Sequence, residues 1–127
     1  MTVTSIEMAT ALRDLAQVLA DPRRPGVPEG QWRWSVRQRM AVVRDALVAE
    51  SATAREGAFT ARALGLARER DALLARLSAL GPRVLEDADV DGLRAQLHRL
   101  VLDISHHVQR EHDLTYDELQ LDLGGSE

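Results

Sequence analysis

The chain contains no cysteine, no lysine and no asparagine, and only four aromatic residues: Trp32, Trp34, Phe59 and Tyr116. Without cysteine there is no disulfide, no thiol nucleophile and no thiolate metal site. Without lysine, Schiff-base chemistry and a phosphate-loop lysine are excluded, and all 16 basic residues are arginines. The shortage of Ile, Tyr and Phe disfavours a β-rich fold, while abundant Leu and Ala favour closely packed helices. No run of about 18 apolar residues occurs, so no segment is expected to span a membrane. Glu7 and Asp14 interrupt the first apolar pattern, which is unlike a signal peptide, and a cytoplasmic protein is expected.

With 127 residues, one domain spanning 1–127 and one hydrophobic core are expected. A net charge of −4 and a pI near 5.6 argue against general affinity for nucleic acid. No nucleophilic triad, Gly-rich phosphate loop or cofactor motif is present, so neither catalysis nor a bound cofactor is expected.

Apolar periodicity places four helices. Thr4 and Glu7 resemble a capping box, and Ile6, Ala9, Leu12, Leu15 and Leu19 share a face before Asp21-Pro22. Residues 21–31 hold three of the four prolines and read as a loop. Val36, Met40, Val43 and Leu47 form a second stripe, and Leu66, Leu73, Leu77 and Leu80 a third, which Gly81-Pro82 should end. One continuous helix from 34 to 80 would be roughly 70 Å long, so a break near Ser51 or Gly57 is expected. The fourth stripe is Leu93, Leu97, Leu100, Val101, Ile104 and Val108. The expected fold is therefore an all-α, antiparallel four-helix bundle with helices near 5–20, 33–50, 53–80 and 89–114. The third and fourth are long, and an acidic tail at 115–127 forms a short C-terminal appendage.

Three constellations could carry function. Asp103, His107 and Glu111 lie four residues apart along one edge of the last helix, and such side chains bind iron, manganese or zinc in bundles. Glu50 or Glu56 could complete a mononuclear site. Without metal, Glu111 should find an arginine (Arg37, Arg44 or Arg62) or solvent, because a buried unpaired carboxylate is costly. The pattern Asp87-Ala-Asp89-Val-Asp91-Gly92 begins like a calcium loop, but its twelfth position is His98, so these acids read better as helix caps.

Charge asymmetry is the third feature. Residues 22–44 hold six arginines against one acid, and residues 111–127 hold six acids and no arginine. The two segments are expected to meet, within the chain or across a dimer. Trp32 and Trp34 are expected first to close one end of the bundle. As the alternative, Arg23, Arg24, Trp32, Arg33, Trp34 and Arg37 form one candidate partner surface, for protein or, less favourably, for nucleic acid. Leu102 on the outer face and Asp117, Glu118, Leu121 and Leu123 in the tail form another. The leading expectation is a non-catalytic protein that binds a protein partner or itself as a homo-oligomer. A metal-binding bundle is the alternative.

Overall fold

The computed structural model describes residues 3–20, 28–54 and 60–125, with side chains over 6–20, 28–50 and 60–120. Four helices follow in order: α1 (Val3–Ala20), α2 (Glu29–Ala54), α3 (Ala61–Glu86) and α4 (Val90–Gly125). They form the expected all-α bundle, with each helix packed on the two beside it. Arg23 and Arg24, Glu56, and the side chains of Leu121 and Leu123 lie outside the described residues, as does the 55–59 stretch between α2 and α3.

Spacings of three and four carry each helix into the core. Met8, Leu12, Leu15 and Leu19 are buried from α1, and Trp32, Val36, Met40, Val43 and Leu47 from α2. Leu73, Leu77, Leu80 and Val84 follow from α3, and Leu93, Leu97, Leu100 and Ile104 from α4. Each fully buried aliphatic side chain of this kind contributes roughly 1.5–3 kcal/mol.

Long side chains close the helix ends and fix the antiparallel register. A helix leaves its last carbonyls without intrahelical donors. At the end of α1, Trp32 Nε1 donates to Val18 O at 2.8 Å and Arg94 Nε to Leu19 O at 2.5 Å. At the end of α3, Arg33 donates to Val84 O at 2.9 Å and to Asp87 O at 2.6 Å. A cation there also suits the negative end of the helix dipole.

Several boundaries differ from expectation. Thr4 lies within α1 and is not its cap, and α2 starts at Glu29, ahead of the tryptophans. Gly81-Pro82 does not end α3, which continues to Glu86 because Val84 is fully buried beyond the proline. Gly81 instead makes room for a neighbour: a Cβ there would lie 3.2 Å from Arg37 Nη1. Thr60 caps the start of α3, its hydroxyl accepting from Ala63 N at 3.1 Å. The segment after 114 continues α4 as helix. The Arg62–Asp117 pair, 2.9 Å, sets the start of α3 level with Asp117, so the last residues of α4 project beyond it.

This register also separates the charged segments. The described part of the basic segment, 29–44, runs from the capped ends of α1 and α3, whereas 111–125 lies toward the opposite end. Among the described residues the two segments do not meet within the chain. Among the described residues no helix is long and apolar enough to cross a membrane.

Candidate metal centre

Three helices replace an apolar residue with a charged one at the same level of the bundle. Glu50 follows Leu47 on the buried stripe of α2, Arg70 precedes Leu73 on α3, and His107 and Glu111 continue from Ile104 on α4. All four side chains therefore turn inward, and a polar layer replaces the hydrocarbon core. Glu50, His107 and Glu111 each offer one ligand atom, and these atoms lie within 4.8 Å of one another.

His107 is fully buried. Its Nδ1 lies 2.6 Å from Glu69 Oε1 on α3. An ionised carboxylate can only accept, so Nδ1 carries a proton and donates it to Glu69. Glu69 is itself held by Arg110, which donates to the same oxygen at 2.7 Å. The opposite ring nitrogen, Nε2, is buried 2.9 Å from Glu111 Oε1, close enough for an ion pair but with no well-formed hydrogen bond. Glu50 Oε2 is likewise buried and unpartnered. Arg70, almost fully buried, donates from Nη2 to Glu111 Oε1, and its Nε has no acceptor.

Crowding sets the protonation of the layer. Burial, with a hydrogen bond to and repulsion from Glu111, pushes the Glu50 carboxyl up to about 8. Burial also works against ionising Glu111, but His107, Glu50 and Arg70 outweigh it and hold its carboxyl well below the usual range. The two acids thus behave as a pair that keeps one proton. For His107, burial disfavours the charged ring, yet the carboxylates of Glu111 and Glu69 outweigh it and raise its pKa. Burial opposes ionisation of Glu69 too, and its bonds to Arg110 and His107 reverse that.

Of the expected ridge, His107 and Glu111 join this layer and Asp103 does not. Asp103 pairs with Arg76 at 2.8 Å and with Arg99 at 3.5 Å near the surface. Glu50, foreseen as a completing ligand, takes its place. The arginine that meets Glu111 is Arg70; Arg37 packs at Gly81, Arg44 is exposed and Arg62 holds Asp117. Arg70 and Glu69 were missed, although Arg70 fills the gap between Leu66 and Leu73 in the α3 stripe, where an apolar residue is due.

Elsewhere, Trp32 and Arg33 are buried and spent on the caps of α1 and α3, while Trp34 is 55% exposed. Leu102 is exposed on the outer face of α4, and Asp117 and Glu118 lie exposed near its end. The acids at 87–91 do cap: Asp87 accepts from Asp89 N at 2.9 Å, and Asp89 from Gly92 N at 3.0 Å. No protein-family model, no curated protein and no solved structure matches the chain.

Proposed function

We propose that this bundle binds one divalent transition-metal ion through His107 Nε2 and the carboxylates of Glu50 and Glu111. The observation that carries this reading is the grouping around Nε2: a fully buried imidazole nitrogen without a well-formed hydrogen bond, 2.9 Å from Glu111, grouped with Glu50 and braced from behind by Glu69. Metal-bound histidines commonly donate their other N–H to a carboxylate, which orients the ring and raises its basicity. One nitrogen and two oxygens suit zinc, iron, manganese or cobalt, and three protein ligands leave a coordination position open.

Protein purified without a histidine tag and stripped of metal tests the reading. Titration with Zn²⁺ should give one equivalent bound and a melting temperature raised by several degrees, since a ligand of the native state stabilises by mass action. Both effects should vanish in His107→Ala and Glu111→Gln. A melting temperature that ignores zinc, cobalt and manganese alike would leave the layer a purely structural one.

A second reading rests on the surface. Leu102, Tyr116 and Leu119 are each more than half exposed along α4, and Trp34 on α2. Such a chain serves as a small interaction protein in the cytoplasm, with a partner protein or its own copy on those faces. Sedimentation across a concentration series distinguishes self-association from a monomer that waits for a partner.

A further inference from the structure

Arg70 is bonded to one of the carboxylates that a metal ion at this site would use. Its guanidinium bonds to Glu111 Oε1, the oxygen that also lies 2.9 Å from His107 Nε2. An ion bound at about 2.0–2.2 Å from an imidazole nitrogen and a carboxylate oxygen would have to share that oxygen with the guanidinium, a few ångströms away. Like charges at such distances repel strongly in a buried setting. The side chain of Arg70 is 5% exposed and its Nε has no acceptor, so pairing with Glu111 must offset most of the cost of burying the cation.

We infer that Arg70 is the resident cation of the metal-free site, and that metal binds by displacing it from Glu111. Arg70 thereby sets which ions load. This inference rests on the metal reading given above. Displacement costs about the same for every divalent ion, so it removes the weak binders first. Affinity for nitrogen and oxygen sites rises from manganese towards cobalt, nickel and zinc, while magnesium and calcium prefer all-oxygen shells. With arginine in place, the site should take the late first-row ions and leave manganese, magnesium and calcium in solution. An arginine that merely supported Glu111 from outside the metal shell would have the opposite effect, and its removal would weaken binding.

The sign of one substitution decides between these roles. Metal-free, untagged full-length chain and its Arg70→Met and Arg70→Lys variants are titrated with Zn²⁺ and with Mn²⁺ against a chromophoric chelator. Arg70→Met should bind Zn²⁺ at least about tenfold tighter than the parent and take up Mn²⁺, because the competing charge is gone. Arg70→Lys, which keeps the charge, should stay close to the parent. Zinc affinity unchanged or weaker in Arg70→Met overturns the inference while leaving the metal reading standing. Failure of the parent and both variants to bind any ion refutes the metal reading and this inference with it. The parent chain also offers a check that needs no folded mutant: zinc must shift the Arg70 Nε–H resonance, and a resonance that stays in place while zinc binds excludes displacement.

Discussion

Glu69 Oε1 on α3 holds His107 Nδ1 on α4 at 2.6 Å, and this one contact decides which ring nitrogen faces the Glu50–Glu111 pair. Arg110 reinforces it by donating to the same oxygen. Glu69 is a third exposed, so it can be removed without opening the core.

Glu69→Ala should therefore spare the fold and weaken zinc binding by about 10–100-fold, the usual effect of losing an outer partner of a metal-bound histidine. Glu69→Gln, which keeps an acceptor for Nδ1–H, should lose less. Calorimetric titration of both variants checks the order, and equal affinities for parent and Glu69→Ala would contradict the bracing role.

The metal-free protein should be most stable in mildly acidic solution. Glu50 has a raised pKa, so its contribution is full below its ordinary value of 4.5 and is lost as pH rises toward about 8. His107 is also raised, so its contribution is full below 6.5 and fades as pH climbs through the folded value. Glu111 and Glu69 are lowered, and their contributions disappear as pH falls below 4.5. Stability should peak near about pH 5 and drop by about 1–3 kcal/mol on reaching pH 8.5, with the coupling of Glu50 to Glu111 limiting the loss. Urea midpoints across this range, measured with chelator present, give the answer. A profile that is flat or rising from pH 6 to 8.5 would show that the layer does not hold these protons.

Neighbouring residues on α2 should respond very differently to truncation. Arg33→Ala leaves the carbonyls of Val84 and Asp87 without their donor, and should cost about 2–4 kcal/mol. Trp34→Ala removes a side chain that is 55% exposed and should stay within about 0.5 kcal/mol of the parent. Equilibrium denaturation of the two variants side by side tests the pair. Equal losses would mean that Arg33 does not cap α3.

Removal of residues 119–127 should leave the bundle intact, because Asp117 already lies level with the start of α3. Unfolding free energy is expected within about 0.5 kcal/mol of the parent. If the exposed end of α4, with Leu119, joins two copies, the truncated chain sediments as a lighter species than the parent. Loss of cooperative unfolding on truncation would instead make this end part of the core.

Sequence periodicity determined the apolar stripes and most of the core, because burial on one face of a helix repeats every three to four residues whatever the helix packs against; the division of the second helix from the third came from length. Leu93, Leu97, Leu100 and Ile104 could be assigned to one face before any partner was known, and His107 and Glu111 followed on it or at its edge. Local rules failed where a long-range contact outweighed them. Pro82 reads as a stop, yet burial of Val84 and the donors of Arg33, 51 residues away in sequence, carry α3 past it. Trp32 closes the bundle end as its sequence position suggests, but Arg33 reads as part of a surface patch until the carbonyl of Val84 supplies an acceptor inside the bundle. The polar layer was half visible in the same way. That Glu50 and His107 fill inward slots is a property of each helix, but that they share a level with Glu69 and Arg70 depends on the register between helices. Register comes from packing and end caps across the whole bundle, and no spacing within one helix encodes it.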